Sequence, residues 1–251
     1  VIKRNLELAN LKYPPKRESE IIEKMWENLG RTFIEYMRLP YQDPFSKNTL
    51  YEIEGIENLD ALINDDQPGL LFSAHYGNWE LGTYIAQKRG LKTAQVTRFL
   101  NNPLTRFMVN TLHERIARKV IPKGAGGARE IIKELKEGNH VSMLADQKMN
   151  DGISIPFFGR EAMTAPAFVK MALKFKCPLV PFQVIRLEGV RCKVIYHPPL
   201  HVPETGTVQE KTNDLLIQMN KSIEQWVREH PEQWFWVHRR WPKELYKKEL
   251  P

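Results

Sequence analysis

At 251 residues, with 42% hydrophobic and 10% aromatic content, the chain is long enough to bury a full core, which excludes a disordered segment or a small disulfide-held scaffold. Its 37 Lys+Arg against 30 Asp+Glu leave a net charge of +7, which favours an anionic partner: nucleic acid, an acidic carrier protein or an anionic bilayer. Two cysteines, Cys177 and Cys192, in no CxxC or Cys/His spacing, exclude a cysteine metal site and read as reduced, inert thiols of a cytosolic protein.

The chain opens at Val1, directly in a helix-like run (Ile2 to Leu6), the look of a sequence from which an upstream anchor has been removed. No stretch of it approaches the ~18 to 20 apolar residues of a spanning helix. From Glu18 to Leu39, Ile22, Met25, Trp26, Leu29, Phe33 and Met37 recur every three or four residues, the period of an amphipathic helix between Pro15 and Pro40. A short strand at 50–53 and a polar helix at 57–65 follow. Pro68-Gly69 then opens Leu70-Leu71-Phe72-Ser73-Ala74, short and apolar as a buried parallel strand is. Beyond it strands at 92–96, 119–121 and 141–144 alternate with helices at 103–118 and 128–136, the pattern of crossover units on a parallel sheet. A helix from Pro166 to Phe175 precedes two strands, 179–187 and 191–196, joined through Glu188-Gly189 as a hairpin, so the sheet is mixed. A helix at 208–229 leads into an aromatic and basic tail, 230–242. The fold expected is one α/β domain over residues 1–251, a mixed, mostly parallel central sheet flanked by helices, with residues 1–40 as a helical lead-in.

The chemistry concentrates in Ser73-Ala74-His75-Tyr76-Gly77-Asn78-Trp79-Glu80, where an apolar strand ends at His75 and a helix starts near Asn78. In open α/β sheets reactants bind in the crevice at such a carboxyl end. His75 and Glu80 would lie about 140° apart on a continuous helix, so they meet only across a turn, which Gly77 can supply. A histidine base with a carboxylate fixing its tautomer needs no protein nucleophile when the substrate brings the hydroxyl. The plainer alternative makes His75 a strand-end side chain and Glu80 a first-turn carboxylate favoured by the helix dipole.

That block resembles the His-x4-Glu block of the lipid A late acyltransferases of lauroyl/myristoyl type, relatives of the glycerophospholipid acyltransferases. The resemblance continues in order through Arg98 with Asn102-Pro103, Ala145-Asp146-Gln147 with Pro156-Phe157-Phe158-Gly159, Ala165-Pro166 to Pro181, and the closing run Pro231 to Trp241. Arg4-Asn5-Leu6-Glu7-Leu8 resembles the lead-in that follows the family's membrane anchor. It implies acyl transfer from an acyl-carrier-protein (or coenzyme A) thioester to a hydroxyl of a lipid A precursor, with no metal and no redox cofactor. His75 would be the general base and Glu80 would hold its imidazole, with backbone N–H groups at Gly77 or Asn78 for the oxyanion. Substrate contacts fall on Arg98, Asn102, Asp146, Gln147, Phe158, Gly159 and Arg239. Several of these have second readings: Arg98 as a solvated surface charge, Asp146-Gln147 as a brace for the His75 loop, Phe157-Phe158 as plain core, and Thr164 as a helix cap. Trp234, Trp236 and Trp241 beside Arg239 and Arg240 read equally as an interfacial anchor or as aromatics packed on the sheet. The expected partners are acyl carrier protein, an anionic glycolipid and a membrane surface, not nucleic acid, at the cytoplasmic face of the bacterial inner membrane. A lysophospholipid or other glycolipid acceptor is the rival within the class; a non-catalytic basic lipid-binding module is the rival outside it.

Overall fold

The computed structural model describes residues 1–97 and 116–247. Among them lie helices α1 (Ile2–Leu8), α2 (Pro15–Arg38), α3 (Ile56–Asn64), α4 (Glu80–Arg89), α5 (Ala125–Lys136), α6 (Ala167–Phe175) and α7 (Val208–Glu229). The strands are β1 (Tyr51–Glu54), β2 (Leu70–Ser73), β3 (Thr93–Thr97), β4 (Lys119–Pro122), β5 (His140–Leu144), β6 (Ile153–Phe157), β7 (Arg160–Thr164), β8 (Leu179–Arg186) and β9 (Cys192–Tyr196). Seven strands form one sheet in the order β1-β9-β8-β2-β5-β3-β4, parallel throughout except for the antiparallel β8–β9 hairpin. The mixed, mostly parallel sheet expected from the alternation is present.

β2 is paired on both edges, by β8 and β5, and is buried on both faces. Leu70 and Phe72 enter one core with Ile131, Val169, Leu216, Trp234 and Trp236, while Leu71 enters the other with Leu59, Leu81, Ile85 and Phe182. This two-sided burial is why the strand reads as a continuous apolar run rather than an alternating one. Cys177 and Cys192 are free, and burial pushes their thiols up to about 11 and about 12.

Three differences from the sequence reading have physical causes. The β6–β7 hairpin went unforeseen: Phe158 (φ 53°) and Gly159 (φ 71°) both take positive φ between the paired Phe157 and Arg160, as a two-residue hairpin loop requires. Thr164 caps no helix; it ends β7, fully buried, donating to the Ala162 carbonyl at 2.9 Å. Only part of the periodic apolar set of α2 lies on its core face. The helix buries Ile21, Met25, Asn28, Thr32 and Tyr36, whereas Trp26 and Phe33 stay 48% and 42% exposed. A period of 3.6 identifies a helix but not which of its stripes meets the protein. No helix among the described residues is long and apolar enough to cross a membrane.

Candidate active site

The register of two parallel strands builds the site. Ser73 at the end of β2 pairs with Leu144 at the end of β5, so the residues two places further on, His75 and Asp146, meet over the carboxyl edge. Asp146 grips His75 twice. Its Oδ1 lies 2.8 Å from Nδ1 of the imidazole, and its Oδ2 accepts the His75 main-chain N–H at 3.0 Å. A third donor, Nε1–H of the Trp234 indole, reaches Oδ2 at 2.8 Å. Asp146 is buried, and burial alone would raise its pKa. The imidazole's charge and the hydrogen bonds from His75 and Trp234 outweigh that and hold the carboxyl well below the usual range. An ionised carboxylate only accepts, so Nδ1 of His75 carries the proton that faces it, and in the neutral imidazole Nε2 is the ring nitrogen with the lone pair.

The loop between His75 and Glu80 is pinned from the other side as well. The closing tail lies beside it as an antiparallel bridge: Phe235 N–H donates to the His75 carbonyl at 2.9 Å, and Gly77 N–H donates to the Gln233 carbonyl at 3.0 Å. Gly77 has φ 56°, and a Cβ there would sit 1.9 Å from the Val184 carbonyl oxygen, so only glycine fits. The imidazole is walled by Trp79 (ring centroids 5.2 Å), His238 (5.4 Å) and Phe235 (6.4 Å).

Glu80 opens α4, and its carboxylate accepts Nε1–H of Trp79 at 3.0 Å and Nε2–H of Gln95 at 2.9 Å. The expectation that Glu80 holds the imidazole is therefore corrected at Nδ1, where Asp146 stands. The helix start faces Gln95 on β3, while strand register delivers Asp146 to the ring.

Residues 1–243 match the profile described as "Bacterial lipid A biosynthesis acyltransferase". The chain belongs to that family. It is 25% identical over 248 residues to the lipid A biosynthesis palmitoleoyltransferase of Escherichia coli (strain K12), covering 96% of this chain and 77% of that one. It is 20% identical to the lipid A biosynthesis myristoyltransferase of the same organism, covering 91% and 71%. The phosphatidylinositol mannoside acyltransferase of Mycobacterium tuberculosis (strain CDC 1551 / Oshkosh) is also 25% identical, covering 87% and 69%. The protein is thus an acyltransferase enzyme.

The acyltransferase brings some of the predicted residues to His75 and uses others elsewhere. Gln147 lies beside the ring cluster, its Nε2 3.1 Å from Nε2 of His238, and Lys123 Nζ donates to its Oε1 at 3.3 Å. Gly77 fails as an oxyanion donor because its N–H is committed to Gln233. The buried Asn78 side chain turns away, donating to Glu35 Oε2 at 2.9 Å. Phe158 and Gly159 form the β6–β7 turn, where Phe158 N–H donates to Glu224 Oε1 at 2.7 Å and the ring lies under the Arg228 guanidinium. Arg239 is exposed over the Tyr246 ring. Arg98 and Asn102 lie outside the described residues.

The tail is not an interfacial anchor. Trp234, Trp236 and Trp241 are at most 2% exposed, and each indole N–H has an acceptor: Asp146, the Pro231 carbonyl and the Phe157 carbonyl. Nor does Arg240 pair directly with a carboxylate. Fully buried, it donates to Met163 O, Thr164 Oγ1 and Asn220 Oδ1 and lies over the Phe157 ring; burial lowers its pKa to about 10, so it stays charged at neutral pH. Sequence reasoning gave Trp234, Gln233 and His238 no place at the His75 site; Trp234 was read only as an interfacial anchor or a packed aromatic of the tail. The signal for Trp234 was the tail's match to the family, without any hint of which atom the indole reaches.

Proposed function

We propose that this acyltransferase passes a fatty acyl chain from an acyl-carrier-protein thioester to a hydroxyl of a lipid A precursor, with His75 as general base. The observation carrying the reading is the His75–Asp146 pair at the carboxyl edge of β2 and β5, in a chain of the lipid A acyltransferase family. Nε2 of His75 takes the proton as the acceptor oxygen attacks the thioester carbonyl; the tetrahedral intermediate collapses, the carbon–sulfur bond breaks, and the thiolate leaves with that proton. Asp146 keeps Nδ1 protonated and offsets the charge of the imidazolium that forms. With the Gly77 amide occupied, the oxyanion falls to amide N–H groups at the start of α4, from Asn78 onward. No metal or redox cofactor enters this chemistry. Glu80 braces the start of α4 through Gln95, and Arg98 and Lys123 supply cations for an anionic acceptor.

The enzyme would work on the cytoplasmic face of the inner membrane. The net charge of +7 and the outward stripe of α2, with Trp26, Phe33 and Ile34 exposed, suit an anionic bilayer. Equal identity to a phosphatidylinositol mannoside acyltransferase supports a second acceptor, a mannosylated inositol lipid.

The test is transfer from lauroyl- and myristoyl-carrier protein to a tetra-acylated lipid A precursor, a mannosylated inositol lipid and a lysophospholipid, by wild type and His75→Ala. We expect acylated lipid A precursor from wild type and a loss of roughly two orders of magnitude or more in the variant. Acylation of another acceptor alone overturns the lipid A assignment, and a His75→Ala enzyme as fast as wild type overturns the base.

A further inference from the structure

The stretch between His75 and Glu80 is held by α2 through polar side chains that the mechanism above does not use. Asn28, Thr32 and Glu35 stand one turn apart on the inner side of α2. Nδ2–H of Asn28 and Oγ1–H of Thr32 both donate to the Gly77 carbonyl at 3.1 Å, filling its two lone pairs. Glu35 Oε2 accepts Nδ2–H of Asn78 at 2.9 Å. Behind these three sits Arg186, the last residue of β8. Its guanidinium forks onto Glu35, at 2.6 Å to Oε1 and 3.0 Å to Oε2, while its Nε–H donates to Asn28 Oδ1 at 2.8 Å. Its main chain is fastened too: Arg186 N–H donates to Gln233 Oε1 at 2.7 Å, and Gln233 Nε2–H returns to the Arg186 carbonyl at 3.0 Å. The Gln233 carbonyl then accepts the Gly77 N–H, closing a ring of contacts around the turn.

Polar groups this deeply placed are costly unless they are satisfied, and this network is largely buried: Asn28 is 6%, Thr32 3% and Asn78 1% exposed, and the Arg186 and Glu35 side chains are 10% and 20% exposed. A plain structural contact between α2 and the sheet would be served by apolar residues, as Ile21 and Met25 serve it one turn earlier. The polar set is instead directed at both hydrogen-bonding groups of one peptide, the glycine midway between the base and the helix start. A fork that orients an amide and a carboxylate together needs a planar guanidinium; a lysine ammonium cannot reproduce it.

We infer that Arg186, acting through Asn28 and Glu35 with Thr32, is a positioning residue: it fixes the Gly77–Asn78 turn and thereby the placement of His75 relative to the start of α4. This rests on the reading of His75 as the base. Freed from the clamp, the turn shifts, and a displacement near one ångström at a reacting group costs up to about a hundredfold in rate.

The experiment compares Arg186→Lys, Glu35→Gln and Thr32→Val with wild type by hydrogen exchange of the segment 75–81, by thermal unfolding, and by kcat and KM for acyl transfer. In Arg186→Lys exchange of this segment should rise about tenfold or more with β2 and β5 still protected, and kcat should fall between tenfold and a hundredfold with KM within about twofold. Thr32→Val, which removes one of two donors, should do the same more weakly. Unchanged exchange in Arg186→Lys and Thr32→Val overturns the clamp whether or not transfer is observed. Faster exchange with wild-type kcat overturns the positioning role. A kcat loss that merely follows the melting temperature across the three variants, and vanishes in the cold, also overturns it. If His75→Ala matches wild type while exchange responds as stated, the base assignment and with it the positioning role fail, but the clamp stands.

Discussion

Two regions make the site, and they are opposites in how they look and what they do. The turn 75–80 is compact in sequence and carries the proposed base, yet the two residues it advertises, His75 and Glu80, are held by different partners: Asp146 on one and Gln95 with Trp79 on the other. The tail 231–241 looks like a surface amphipath, rich in tryptophan and arginine, yet its three tryptophans and Arg240 are buried and it supplies the indole that braces Asp146. Residues near in sequence share a segment; residues near in space share a strand edge. In a parallel sheet, catalytic neighbours come from adjacent strands, which are seldom adjacent in sequence.

The comparison breaks most sharply at the two carboxylates. Asp146→Asn should lower kcat roughly a thousandfold or more, because the amide can no longer fix the tautomer or offset an imidazolium. Glu80→Gln, which leaves Nδ1 of His75 in place, should cost at least about tenfold less. Steady-state transfer assays decide this, and equal losses would restore Glu80 as the partner of the base. The same Asp146→Asn variant carries a pH signature. Because the folded carboxyl is held below its ordinary 3.8, the stability it contributes is complete above that range and is lost as pH falls through it. Acid unfolding should therefore show wild type losing stability below about pH 4 more steeply than the variant.

Next in size are the tryptophans that look alike in sequence. Trp236→Ala, at a fully buried position, should destabilise by about 3–5 kcal/mol, whereas Trp26→Ala on the outward stripe of α2 should stay within about 0.5 kcal/mol. Urea unfolding measures both, and a large cost at Trp26 would mean that the stripe belongs to the core. Smaller than the loss at Trp236 is that of Trp234→Phe, which keeps an aromatic ring but removes one donor to a buried carboxylate. A loss of about 1–3 kcal/mol is expected at neutral pH, read from the same denaturant curves; no loss would release the indole from its bracing part.

Much of the fold was legible before any coordinates. The apolar run 70–74, the alternation after it and the Glu188-Gly189 turn gave β2, β3, β4, β5 and the β8–β9 hairpin within a residue or two, while the helix expected at 128–136 starts three residues earlier and the one expected at 103–118 lies largely outside the described residues. The β6–β7 hairpin escaped because its turn residues, Phe158 and Gly159, include a non-glycine at positive φ, which no turn dictionary favours. His75 was legible as the proposed base from the strand end and the glycine turn. Its true partner was only half legible: Asp146 stood out as the end of an apolar strand, but nothing in the chain says that β5 lies next to β2.

The sequence by itself determined what depends on near neighbours: which segments are helix or strand, that β2 is buried on both faces, that Gly77 must turn the chain, and that a histidine waits at a strand's carboxyl end. Only the tertiary structure decided what depends on strand order and helix facing: that Asp146, braced by Trp234, holds the imidazole, that α2 turns its polar residues inward onto Gly77, and that the three tryptophans of the tail are core. Hydrophobic periodicity is a one-dimensional signal set by backbone geometry. The pairing of distant edges is chosen by the sum of many weak contacts across the whole core, which no local stretch of residues encodes.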